Sequence, residues 1–106
     1  MKRQPRYPLE RVQALILGGE KGYRISRVAR DGAAELHLDE QDIVACVCRL
    51  DDGDFYKSMP AEKSPGDWQD VYKAKYCGIS IYLKVQIVER AGSVAVVISF
   101  KRDESR

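Results

Sequence analysis

The chain has 106 residues, of which 44% are hydrophobic and 32% charged, enough for one small α+β domain with a modest core (residues 1–106) and too few for a second. Nowhere do 18 apolar residues run together, so no membrane-spanning helix is expected and a cytoplasmic protein is the reading. The net charge of +2 hides an uneven distribution: residues 1–30 carry eight Lys/Arg against two Asp/Glu, residues 31–54 one against eight, and residues 55–106 nine against six. The basic N-terminal arm and the second half are candidates for nucleic-acid contact, although such charges also simply solvate a small domain. Cys46, Cys48 and Cys77 lack the paired C-x-x-C spacing of a structural zinc site. They read as reduced cysteines, with Cys46 and Cys48 serving as small hydrophobes in an apolar run. No carboxylate or histidine cluster points to a metal, and no cofactor is expected.

Pro8 opens a helix whose Leu9, Val12, Leu15 and Ile16 share a face, and Gly18 and Gly19 end it. Tyr23, Arg24, Ile25 and Ser26 suit a short edge strand, and a helix through Ala33, Ala34 and Leu36 follows. Asp39 is a good N-cap for a helix over residues 40–50, with acidic residues in its first turn and Ile43, Val47 and Leu50 at helical spacing. Residues 51–54 break that helix, and Asp54 is expected to cap a short turn carrying Phe55, Tyr56 and Lys57. Pro60 and the Ser64-Pro65-Gly66 stretch make a loop. From Trp68 onward the pattern predicts three antiparallel strands, so the helices cover an antiparallel sheet.

The register of those strands follows from their apolar alternation. A two- or four-residue loop around Arg90, Ala91, Gly92 and Ser93 pairs Glu89 with Val94, Ile87 with Val96, Val85 with Ile98, Leu83 with Phe100 and Tyr82 with Lys101. An odd loop length with a bulge shifts this register. A tight turn at Cys77 and Gly78 pairs Tyr82 with Lys73 and sets Gln69 opposite Gln86. Tyr82, Lys84, Lys101, Gln69, Val71, Lys73 and Lys75 then share one face. Four residues separate Gln69 from Lys73, roughly 13 Å at about 3.3 Å per residue, so Gln69 is not placed against Tyr82. Asp70 points toward the core in this register, which is costly unless it is paired.

The strings DFYKSM (54–59), WQDVY (68–72), YLKV (82–85) and VISFK (97–101) occur in the order and near the spacing of the MqsR family, the motility quorum-sensing regulator toxins. The sequence resembles that family, whose fold is similar to RelE-type messenger-RNA-cleaving ribonucleases, closely over its last half and only in helix layout over its first. The loop after Pro60, the hairpin at residues 90–93 and the longer tail depart from the pattern. The resemblance implies that Lys57, Gln69, Tyr82 and Lys101 act on RNA. It further implies an endoribonuclease toxin that cuts single-stranded messenger RNA near a GC-containing triplet. Its partner would be an antitoxin encoded beside it, with a zinc-binding and a DNA-binding domain, acting either by covering the cleft or by holding the toxin in a complex.

Cleavage by an RNA's own 2′-hydroxyl needs one proton removed, another donated, and charge stabilised on the phosphate. Lys57 and Lys101 are suited to that stabilisation, and Lys73, Lys75 and Lys84 to backbone affinity. Tyr56 beside Lys57 is placed to stack on a base. Lysines around Tyr82 are expected to favour its ionised form, and Gln69 carries both a donor and an acceptor for a phosphate or a base edge. Taken singly, each of these residues is an ordinary surface or cross-strand group. Trp68, Tyr72 and Phe55 read as core, and the one histidine, His37, as structural or surface. The competing reading is a non-catalytic RNA- or DNA-binding regulator using the same basic face.

Overall fold

The computed structural model describes residues 4–104; the first three residues of the basic arm and the last two of the tail lie outside them. In chain order the elements are α1 (Leu9–Leu17), β1 (Tyr23–Ile25), α2 (Arg27–Glu35), α3 (Glu40–Arg49), a 3-10 turn (Asp52–Asp54), β2 (Phe55–Pro60), β3 (Trp68–Tyr76), β4 (Ile79–Glu89) and β5 (Ser93–Arg102). The five strands form one sheet in the order β1-β5-β4-β3-β2. The β3–β4 and β4–β5 pairs are antiparallel as expected, β2 adds a further antiparallel strand beside β3, and β1 adds a parallel edge to β5.

The helices are where the capping residues put them. Ser26 accepts from the Ala29 N–H, and Asp39 and Asp42 form a reciprocal capping box at the start of α3. The carboxamide nitrogen of Gln13 on α1 donates to the carbonyls of Val47 (3.1 Å) and Leu50 (2.9 Å), closing groups that the end of α3 leaves open. Val12, Ile16, Ala29, Ala33, Ile43, Cys46 and Val47 pack with Tyr72, Ile81, Leu83, Val85, Val97 and Phe100 into one core on one side of the sheet. Cys46 is buried, Cys48 half-buried, and Cys77 is exposed in the β3–β4 turn rather than part of the core.

Three local expectations are corrected. Phe55, Tyr56 and Lys57 do not form a turn: Asp51 caps the 3-10 turn and the chain then pairs with β3 as strand β2. A bulge at Tyr56 hides this from period-2 reading, because Phe55 pairs with Tyr72 and Lys57 with Val71, one partner step for two residues. Phe55 meets Tyr72 edge-on, ring centroids 5.6 Å apart. The β4–β5 register is as expected at Tyr82–Lys101 and Leu83–Phe100, but nearer the hairpin Val85 pairs with Val97, Ile87 with Ala95 and Glu89 with Ser93. Ala91 and Gly92, both at positive φ (52° and 114°), close a three-residue loop, and Ile98 is the extra residue that restores the outer register.

Asp70 faces the core side, fully buried, and its carboxylate accepts the backbone N–H groups of Arg6 and Tyr7, both at 2.9 Å. The N-terminal arm is thereby tied to β3, and the Tyr7 hydroxyl adds a bond to the Trp68 carbonyl (3.0 Å). Asp70→Asn removes the charge and turns an amide N–H toward donors. It is expected to cost about 2 kcal/mol, the scale of hydrogen bonds to a charged group. Chemical denaturation measures this, and an unchanged midpoint would mean the arm is not anchored at Asp70.

Candidate active site

The sheet face away from the core gathers the polar side chains, and the register sorts them into rows crossing the strands. One row holds Lys73, Tyr82 and Lys101. Two residues along, roughly 7 Å at about 3.3 Å per residue, the next holds Lys57, Val71, Lys84 and Ser99. A third pairs Met59 with Gln69 and Gln86 with Val96, and the Gln69 amide joins the two pairs by donating to Gln86 Oε1 at 3.3 Å. On the opposite flank Lys75 pairs with Ser80.

Tyr82 is therefore ringed on three sides. Lys101 Nζ lies 5.2 Å and Lys84 Nζ 6.0 Å from its ring centroid, and Lys73 is its partner across β3. The bulge in β2 brings Tyr56, 52% exposed, over the same face, where Lys73 Nζ sits 3.9 Å and Lys57 Nζ 5.5 Å from its ring. The bulge at Ile98 re-aims the outer half of β5 beside Lys101. Bulges on the strands to either side of β4 thus accompany cations set around two tyrosines of one face, Tyr56 and Tyr82, a use of bulges that recurs beside functional sites.

The lysines do not favour the ionised form of Tyr82. Desolvation of the half-buried hydroxyl, then Tyr56, then Asp103 hold its pKa above the ordinary tyrosine value. Tyr82 is thus a neutral O–H, equipped to donate a proton. Asp103 enters through one more step of pairing: its N–H donates to the Ser80 carbonyl at 2.8 Å, and its carboxylate stands 3.8 Å from Lys73 Nζ. Extending the Ile81–Arg102 register by one residue finds it in the sequence. Tyr82 and Lys101 line an open cleft of about 550 Å3 whose other wall is Gly32, Glu35 and Leu36 at the end of α2.

Tyr56, Lys57, Lys73, Tyr82, Lys84 and Lys101 therefore share one patch. Lys75 is exposed at its margin. Gln69 shares the face two rows from Tyr82 and one row from Lys57 and Lys84, facing Gln86. His37 is exposed and takes a left-handed conformation (φ 61°) just past α2. Among the described residues no three His, Cys, Asp or Glu side chains are grouped as a metal site would require, and no helix is long and apolar enough to cross a membrane.

Residues 4–102 match the family model described as motility quorum-sensing regulator, toxin of MqsA. Over 100 residues the chain is 33% identical to the mRNA interferase toxin MqsR of Escherichia coli strain K12, an alignment covering 94% of this chain and 96% of that protein.

Proposed function

We propose that this chain, which belongs to the motility quorum-sensing regulator family of toxins, is an endoribonuclease that cuts single-stranded messenger RNA on the uncovered sheet face. The observation that carries the reading is Tyr82 with Lys101 and Lys84 beside its ring at 5.2 and 6.0 Å and Lys73 as its cross-strand partner. The RNA backbone lies across the two lysine rows, with the scissile phosphate over Tyr82 and its charge met by Lys101 and Lys84. The 2′-oxygen attacks phosphorus and the P–O5′ bond breaks. Tyr82 gives its proton to the departing 5′-oxygen, the 2′ proton passes to water, and the tyrosinate then regains a proton from water. A cyclic 2′,3′-phosphate and a 5′-hydroxyl result. Lys57, two strands from Tyr82, contacts the neighbouring phosphate, and Tyr56 stacks on an unpaired base. The family's preference for a GC-containing triplet is carried over as part of this reading. So is neutralisation by an antitoxin encoded beside it that has a zinc-binding and a DNA-binding domain.

The test is incubation of the purified chain with a defined single-stranded RNA in EDTA, followed by mapping of the new 5′ ends. Discrete cuts leaving 5′-hydroxyls, lost when the cut nucleotide carries a 2′-deoxyribose, are expected. RNA left intact both free and on ribosomes would replace this reading with a non-catalytic binder. Binding should weaken steeply with salt, as expected where several lysines neutralise phosphates.

A further inference from the structure

Among the described residues the buried polar or charged ones are Ser58, Asp70 and Gln86. Asp70 is satisfied by the N-terminal arm, whereas Gln86, 7% exposed, is held only through its oxygen, by the Gln69 amide. The Gln69–Gln86 bond leaves the Gln86 NH2 as donor and the Gln69 carbonyl as acceptor, a fixed pair in the third row of the RNA face. Gln86 also lines an open cleft of about 460 Å3 with Arg6, Ser64, Asp67 and Arg90. That cleft lies at the hairpin end of the sheet, beyond the lysine rows. Arg11, also at its wall, is already paired with Glu89 at 2.6 Å, so Arg6 and Arg90 are the cations offered to a backbone there.

We propose that Gln86, positioned by Gln69, reads the edge of one unpaired RNA base in this cleft, next to the nucleotide cut at Tyr82. This rests on the ribonuclease reading and extends it to specificity. A single-stranded RNA crossing the lysine rows from Tyr82 reaches the amide pair within roughly two rows, about 13 Å, the reach of a neighbouring nucleotide. An unpaired base offers donors and acceptors on its Watson–Crick edge, and a site built to bond them penalises a base that leaves them unmet. Arg6 and Arg90 take the adjoining phosphate without reading sequence. Gln86 thereby gives the face a base preference that the lysines cannot supply.

The experiment uses the full chain carrying Tyr82→Phe, so that RNA is held, and a pool of single-stranded RNA randomised over a short window, with the retained RNA sequenced. A base bias at one position is expected. Gln86→Met, which keeps length and loses the hydrogen bonds, should reduce that bias roughly tenfold or more. Gln86→Glu, which replaces the donor by acceptors, should move the bias to another base. Melting curves of both variants verify folding, and if Gln86→Met does not fold, the shift in Gln86→Glu decides. An unchanged bias in the folded variants, or no bias at all with Gln86 present, overturns the inference. Failure of the ribonuclease reading shows separately, as uncut RNA with Tyr82 intact.

Discussion

Tyr82→Phe is expected to lower RNA cleavage by about 10²–10⁴-fold, the range for loss of a positioned proton donor, while changing stability by less than about 0.5 kcal/mol. Only one oxygen is removed, and the ring that Lys84 and Lys101 lie beside stays in place. Binding of an uncleavable 2′-deoxy RNA should change little, so the loss falls on the chemical step. Lys101→Ala is expected to cost about 10²–10³-fold. Lys57→Ala should cost less in rate and more in affinity, because Lys57 sits two strands away. Each of the first two changes should relieve growth arrest when the chain is expressed without its antitoxin. The sign of the pH dependence follows from the raised pKa of Tyr82. The protonated hydroxyl is the active form, so the activity loss that belongs to Tyr82 lies above pH 10.0, the ordinary tyrosine value. A rise of activity with pH below that value, absent in Tyr82→Phe, would mean that the lysines do lower its pKa and that it acts as a base.

What the sequence made legible is the part of the sheet with clean alternation. β4 reads apolar at Ile81, Leu83, Val85 and Ile87 with Tyr82, Lys84 and Gln86 between them, so its faces and its pairing with Lys73 and Lys101 follow from the alternation alone. Five consecutive apolar residues, Val94 to Ile98, carry no period in β5, and there the register near the hairpin was misread by one residue until the bulge at Ile98 corrected it. The bulge at Tyr56 concealed β2 in the same way, since two residues sharing one partner break the alternation that would announce a strand. Asp70 looked costly because its partners, Arg6 and Tyr7, are more than sixty residues away and nothing local signals them. The pKa of Tyr82 was misjudged because counting lysines omits the desolvation of a half-buried hydroxyl and the nearby Asp103. The family motifs singled out Lys57, Gln69, Tyr82 and Lys101, which the register places on one sheet face. The register from the Cys77–Gly78 turn already set Gln69 opposite Gln86 rather than against Tyr82, and the 3.3 Å bond between the two amides agrees.

Gly32→Ala is expected to destabilise the fold by about 1–3 kcal/mol, the usual range for overpacking a close contact, although Ala is the better helix former by roughly 1 kcal/mol. Gly32 lies in α2 where β1 has ended and β5 is the sheet edge, and Ser26 at the helix start binds the Ile98 carbonyl at 2.6 Å. A Cβ on Gly32 would stand 1.9 Å from the Phe100 carbonyl oxygen and 3.5 Å from Lys101 Cβ, and the first of these is backbone that cannot rotate away. Either α2 lifts from β5, loosening Ala29 and Ala33 against the core, or β5 shifts and carries Lys101 with it. Both routes predict a lower denaturation midpoint, and the second adds a loss of cleavage out of proportion to the fraction unfolded. The sign is the diagnostic. At an exposed helical position such as Ala34 the propensity term acts alone, so Ala34→Gly should lower stability by roughly 1 kcal/mol. If Gly32→Ala instead raised the midpoint, propensity would have won, and the close approach of α2 to the strand bearing Lys101 would be wrong.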